Sequence, residues 1–250
     1  MSIEKTQAII LKTHTFSESS KIVRLYTRDF GKVSVLAKGA RRPKSPFHAV
    51  LETGYQVEAI YYYKDNRELQ TLSQCDLINS FSGIHEKYER TAAASATLEL
   101  ILSSTVGDES NPFLFNRIVE TFNALTSAEK LYKPFYWNFT FHMLRNLGFE
   151  FNVECCVLCG TQLTGERFSV LLKKGGILCS SCSKNEMVDF SVSAETTKLI
   201  GRYNVILPDS VSRYVPSSNA RREIDELLHH FMLFHLEGYK KPQSLNLLVE

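Results

Sequence analysis

Two short cysteine pairs constrain this 250-residue chain more than anything else in it: Cys156-Val157-Leu158-Cys159 and Cys179-Ser180-Ser181-Cys182, separated by nineteen residues. A C-x2-C knuckle bends the backbone so that both sulfurs converge, and two knuckles at this separation supply four thiolates to one tetrahedral ion. The intervening Phe168-Ser169-Val170-Leu171-Leu172 and Gly175-Gly176-Ile177-Leu178 read as the hairpin of a zinc ribbon. One structural Zn2+ on Cys156, Cys159, Cys179 and Cys182 is therefore expected, with its coordination sphere closed and no position for an activated water. Such a site is worth about 10–16 kcal/mol, comparable with the stability of a whole domain. Cys155 offers an alternative first ligand through C-x3-C with Cys159, although adjacent residues rarely turn both side chains to one ion. A thiol redox pair is the other reading of the motif. Cys75 stands apart and reads as a buried small hydrophobe.

Metal ligation is preferred to disulfides because nothing points to export. Met1-Ser2-Ile3-Glu4-Lys5 lacks the basic start and apolar run of a secretory signal, and no later stretch approaches about eighteen uncharged apolar residues. A cytoplasmic protein with no membrane contact is expected. With 44% hydrophobic residues the chain can build an ordinary core and needs no disulfide framework.

From Thr6 to about Cys75 the sequence breaks into five short β-type runs, at 6–12, 20–27, 31–38, 53–64 and 69–75. Ile22, Arg24 and Tyr26 alternate with Val23 and Leu25, and Asp29-Phe30-Gly31 and Lys64-Asp65-Asn66 look like hairpin turns. Five strands with one long excursion, at 39–52, fit an OB-type Greek-key barrel better than a sandwich of about seven. After Gly83 the period lengthens to between three and four. Ile84, Tyr88, Ala92, Ser95, Leu98, Leu102 and Val106 predict one long helix with a single apolar face. Asn111-Pro112 opens a second, with Phe115, Ile118, Val119, Phe122 and Leu125 as its stripe; Pro134 opens a third through Phe135, Phe139, His142 and Met143, ending at a left-handed Gly148. Ser193-Ala194-Glu195 starts a short helix to Tyr203. A last helix spans 219–237, with Ile224, Leu227, Leu228, Phe231, Phe234 and His235 buried and Arg221, Arg222, Glu223, Asp225 and Glu226 facing water. The class is α+β: a barrel over 1–82, a helical domain over 83–151, a four-cysteine element over 152–190, and C-terminal helices over 191–250 that pack with the helical domain.

Charge is distributed unevenly. The whole chain carries only +2, but residues 1–82 hold twelve Lys/Arg against eight Asp/Glu, a net of +4. Between Asp29 and Glu52 there is no acid, while Lys32, Lys38, Arg41, Arg42 and Lys44 cluster around Gly39-Ala40 and Pro43. A loop leaving a barrel keeps such cations in water, where they can track phosphates; five of them on single-stranded DNA would give a logarithmic salt slope near −3.5, at about −0.7 each. Tyr26, Phe47, Tyr55, Tyr61, Tyr62 and Tyr63 are candidate stacking rings, some of which must point inward. A mobile, merely solvated loop is the alternative.

Enzyme chemistry finds no anchor. The sequence has no G-x4-GK[ST] phosphate loop, H-E-x-x-H pair or G-x-S-x-G elbow, and His235-Leu236-Glu237 is not followed by P-C-x-x-C. His229, His230 and His235 sit on a helix, where packing or exposure accounts for them.

Taken in order, Ala8-Ile9-Ile10-Leu11-Lys12, then Gly31-Lys32-Val33-Ser34-Val35-Leu36-Ala37-Lys38-Gly39-Ala40-Arg41-Arg42, then Gly175-Gly176-Ile177-Leu178-Cys179-Ser180-Ser181-Cys182, then Gly238-Tyr239-Lys240-Lys241-Pro242-Gln243-Ser244-Leu245, the chain resembles the RecO family along nearly its whole length. The resemblance implies an N-terminal OB-fold, a helical domain and a zinc element in a bacterial, nucleoid-associated protein that binds single- and double-stranded DNA. It also implies that the protein engages the acidic tail of single-stranded DNA-binding protein, associates with RecR, helps RecA indirectly, and anneals complementary strands without nucleotide hydrolysis. Zinc ligation falls on the four knuckle cysteines and DNA contact on Lys38, Arg41, Arg42 and Lys44. A zinc-stabilised protein-interaction adaptor without nucleic-acid binding is the competing reading, supported by the near-neutral total charge. A metal nuclease or redox enzyme is the third.

Overall fold

The computed structural model describes residues 2–104 and 109–248. Five strands, β1 (Ser2–Thr15), β2 (Lys21–Thr27), β3 (Gly31–Ala37), β4 (Gln56–Tyr63) and β5 (Leu69–Asn79), form a closed barrel in the order β1-β2-β3-β5-β4. Closure depends on β1 being long enough to serve two neighbours. Its first half pairs with β4 (Ser2↔Tyr63 to Ile9↔Gln56) and its second half with β2 (Ala8↔Thr27 to Thr15↔Lys21), with a register shift between Ile10 and Lys12. β3 and β5 pair in parallel, Ser34↔Leu69 through Leu36↔Thr71, and so seal the ring that the sequence predicts as an OB-type barrel. Alternation does the rest: Ala8, Ile10, Val23, Leu25, Val35, Ala37, Val57, Ala59 and Tyr61 point inward and fill it. Cys75 belongs to this core, and burial pushes its thiol up to about 12.

Outside the barrel come α1 (Tyr88–Ser103), α2 (Pro112–Thr126) and α3 (Lys133–Asn146), then a three-stranded sheet of β6 (Arg167–Leu171), β7 (Gly176–Leu178) and β8 (Phe190–Ser193), and finally α4 (Ala194–Tyr203) and α5 (Ser218–His235). Asn111 caps α2, its side chain accepting from the Leu114 amide at 3.0 Å, and Pro112 occupies the first turn. Phe115, Ile118, Phe122 and Leu125 are buried as the period requires. α3 ends where Gly148 turns left-handed at φ 86°.

One large hydrophobic cluster runs through all of these elements, joining Ile9, Leu11 and Tyr26 of the barrel to the helices and to Phe168, Val170, Ile177 and Val192 of the second sheet. No helix among the described residues is long and apolar enough to cross a membrane.

Three expectations about burial need correction. α1 has no single apolar face: Tyr88 is 65% exposed, while Ala92, Ala93, Ala94, Ala96, Leu98, Leu100 and Ile101 are buried all round. The cause is its central position against α2, α3, β1 and a C-terminal segment, with alanines letting those neighbours approach. Val106, expected on its stripe, lies outside the described residues. On α5, Phe234 is 58% exposed because the buried face runs through Leu228, Phe231 and Met232, and His235 turns to bond the Leu172 carbonyl at 3.0 Å. Glu223 does not face water; it is buried within a set of donors from β6, the start of α4 and its own helix.

Candidate nucleic-acid interface and metal centre

The two knuckles meet because the β6–β7 hairpin folds the second back on the first. The Val157 amide donates to the Ile177 carbonyl at 3.1 Å, bringing the first knuckle alongside β7. Gly160, at φ 73°, closes that knuckle by donating to the Cys156 carbonyl at 2.8 Å. In the second knuckle the Ser183 amide returns to the Cys179 carbonyl at 3.0 Å, and the Cys182 amide points at the Cys179 sulfur at 3.5 Å.

The sulfurs of Cys156, Cys159, Cys179 and Cys182 all lie within 4.8 Å of one another, with Cys159 and Cys179 at 3.7 Å. A tetrahedron of thiolates with metal–sulfur bonds of about 2.3 Å has edges of about 3.8 Å, so the cluster has the size of a one-ion site. Cys155, although adjacent, is outside the cluster; its backbone forms a bridge with Gln162. Burial works against the Cys156 thiolate, but backbone N–H donors of Cys179, Cys159 and Leu158 outweigh it and bring the thiol down to about 6. Cys182, hydrogen-bonded to the sulfurs of Cys159 and Cys179, is pushed up. Behind the cluster, Leu171 and Leu178 pack on Cys156 and keep one side dry.

The basic segment following β3 is anchored rather than loose. Ala40, Phe47 and Leu51 insert into the barrel core, so the chain between them is pinned from inside. Gly39 takes φ 71°, allowing the Arg42 amide to reach its carbonyl at 3.0 Å. The Arg41 amide donates to the Ser19 carbonyl at 3.0 Å, and its guanidinium donates to the Ser17 carbonyl at 2.9 Å. Lys38, Arg41, Arg42 and Lys44 are all exposed.

Lys32 is placed differently. It stands opposite Tyr26 on the barrel face that meets the helices, and its ammonium donates to the Ser104 carbonyl at 2.6 Å, at the C-terminal end of α1. That contact is tertiary and leaves no trace in local sequence.

The expected stacking rings are mostly core. Tyr26, Tyr61 and Phe47 are buried, Tyr55 and Tyr62 half-buried, and Tyr63 alone of the six is exposed, at 37%. The ring the sequence reading missed is Phe16, 57% exposed, in the β1–β2 turn that Arg41 bonds through Ser17 and Ser19. Its signal was weak: a lone aromatic in a Ser-rich turn, remote in sequence from the cations it accompanies.

A cavity of about 200 Å3 lies between α3, α5 and the C-terminal segment. Trp137, Leu228, Met232 and Leu248 give it apolar walls, and Lys133 and Lys241 give it positive charge, the former paired with Asp225 at 2.9 Å.

Residues 1–81 match the family described as recombination protein O N terminal, and residues 85–244 match recombination protein O C terminal. A DNA repair protein RecO of Chloroherpeton thalassium is 30% identical over 257 residues, covering 99% of each chain. The DNA repair protein RecO of Salinibacter ruber is 27% identical over 250 residues, 100% of this chain and 94% of that one. In Listeria monocytogenes a protein of the same name is 32% identical over 200 residues, 79% of this chain and 76% of that one.

Proposed function

The chain belongs to the RecO family of DNA repair proteins, and from that premise we propose that it is a non-enzymatic mediator of recombinational repair that binds single- and double-stranded DNA. The observation that carries the reading is the set Lys38, Arg41, Arg42 and Lys44, exposed on a segment whose backbone is fixed to a closed barrel. A backbone already held in place loses little freedom when its cations meet phosphates, and Phe16, next to the Ser17 that Arg41 bonds, offers a face for a base. Neutralising the phosphates of two strands at one surface lowers their mutual repulsion, so that complementary bases can pair without nucleotide hydrolysis. In this reading residues 1–82 are the DNA-binding module, and 83–151 with 191–250 are the platform for partners. The element at 152–190 is braced by one Zn2+ on Cys156, Cys159, Cys179 and Cys182.

The partners follow from the family: RecR, and through it RecA on DNA coated by single-stranded DNA-binding protein, in the bacterial cytoplasm at the nucleoid. The cavity where Lys133 lies beside Trp137 and Met232 is the candidate seat for the acidic tail of that binding protein, whose carboxylates would compete with Asp225 for the Lys133 ammonium. Lys32 is left out of the DNA contact because its ammonium bonds Ser104. A zinc-stabilised adaptor is favoured by one observation only, the whole-chain charge of +2.

Annealing separates the two. Complementary labelled oligonucleotides, mixed with zinc-loaded protein and no nucleotide, should pair faster than alone, and should do so less well with Arg41→Ala/Arg42→Ala. Equal rates with and without protein would favour the adaptor.

A further inference from the structure

Resting on the DNA-binding reading above, we infer that a nucleic-acid strand leaving the basic loop crosses the outer face of β1 and β2 and enters the groove between barrel and helices, where Lys12, Arg24, Lys240 and Lys241 hold its phosphates. The barrel register makes the first step. Lys12 stands directly opposite Arg24, and Arg24 directly opposite Ser34 of β3, the strand that runs on into the turn carrying Lys38. Both Lys12 and Arg24 are exposed.

Like charges set directly across a strand pair repel, and among the described residues neither has an acidic partner. Two other barrel cations are paired, Lys5 with Glu58 at 2.9 Å and Lys21 with Glu52 at 3.9 Å. An uncompensated cationic pair is a cost to the free protein that a polyanion relieves.

The second step is the groove itself. About 550 Å3 of open space lies between β1, α1 and the C-terminal segment, with Lys12 on one bank and Lys240 and Lys241 on the other. The bank is fixed. Ser103 Oγ donates to the Lys240 carbonyl at 3.4 Å, and Gly238 makes the preceding turn at φ 74°. Among the described residues Glu99 is the one acid lining the groove, and its carboxylate is occupied by the amides of Gln243 and Ser244 and the Ser244 hydroxyl. The cations therefore lie along a line, loop to barrel face to groove. A line matches the repeating charge of a sugar–phosphate backbone, whereas an acidic peptide end would need them gathered at one point.

The test is the salt dependence of binding a labelled oligothymidylate of about thirty nucleotides, long enough to span more than one site. Lys12→Gln/Arg24→Gln/Lys240→Gln/Lys241→Gln should lower the logarithmic salt slope by about 2.8, at about 0.7 per cation, so that a fourfold rise in salt costs the variant about fifty-fold less affinity than it costs the wild type. The Lys240→Gln/Lys241→Gln pair alone should lower it by about 1.4, which guards against a fourfold variant that fails to fold. The thermal midpoint should stay level or rise, since a repulsion is removed. Wild-type binding with an unchanged slope in both variants overturns the inference and leaves the DNA-binding reading standing. Loss of acidic-peptide binding with an unchanged DNA slope overturns it in favour of a protein ligand. A wild type that binds no DNA overturns both.

Discussion

Replacing Glu223 by Gln tests whether the C-terminal helix and the sheet beside the four-cysteine cluster are locked together as the geometry implies. The carboxylate is about nine-tenths buried and accepts from five donors: the Ser193 amide at 2.8 Å, the Ser193 hydroxyl at 2.8 Å, the Thr196 hydroxyl at 2.6 Å, the Asn219 amide group at 3.0 Å and the Arg167 guanidinium at 3.2 Å. Burial alone would raise its pKa; the hydrogen bonds, led by the Ser193 amide, outweigh that and hold it at about 2, against an ordinary 4.5. At about 1.4 kcal/mol per tenfold change in acidity, that difference corresponds to ~3 kcal/mol favouring the folded, ionised form. Because the folded value lies below the unfolded one, this stability is fully present above 4.5 and is lost as pH falls towards 2. Gln cannot carry the charge and turns an NH2 towards donors. Its thermal midpoint at neutral pH should therefore fall by roughly 6–12 °C, at about 2–4 °C per kcal/mol for a chain of this size. The gap between variant and wild type should narrow below pH 4.5. A midpoint within about 2 °C of wild type at neutral pH would refute the lock, since it lies below the effect of 1 kcal/mol.

Further outcomes follow from the metal centre. Purified protein should carry one zinc per chain. Stripping it should open the 152–190 element to proteolysis and remove much of its β-structure, because about 10–16 kcal/mol of binding is lost from the folded state. Cys156→Ser should lower the zinc content and Cys155→Ser should leave it at one, since only the Cys156 sulfur sits in the cluster. Gly176→Ala should destabilise by about 1–3 kcal/mol in chemical denaturation, because the added Cβ would meet the Asn152 carbonyl oxygen at 2.7 Å and the Val157 side chain, and backbone cannot move aside.

What could be read from the sequence divides by range. The knuckles were legible because their spacing is covalent, and the barrel strands because alternation is local: Val23, Leu25, Val35 and Ala37 point inward as it requires. The capped starts at Asn111 and Ser193 were equally local, each side chain accepting from the amide three residues on. Whatever depended on a distant neighbour was not legible. Lys32 reads as one of five loop cations, yet the Ser104 carbonyl at the far end of α1 claims its ammonium. Glu223 reads as water-facing until β6 and the turn before α4 supply its donors. Tyr26 and Phe47 read as stacking rings, but the helices cover one and the barrel encloses the other. Phe16 escaped notice because only the fold sets the β1–β2 turn beside Arg41.

The central claim is that the anchored cations of the loop grip a polyanionic backbone. It is tested most directly by titrating labelled single-stranded DNA with zinc-loaded wild type and with Arg41→Ala/Arg42→Ala across a range of salt. Binding should weaken steeply with salt in the wild type, and the double variant should bind less tightly with a logarithmic slope shallower by about 1.4. Wild type that ignores the oligonucleotide in dilute buffer, or a variant indistinguishable from it, would contradict the claim.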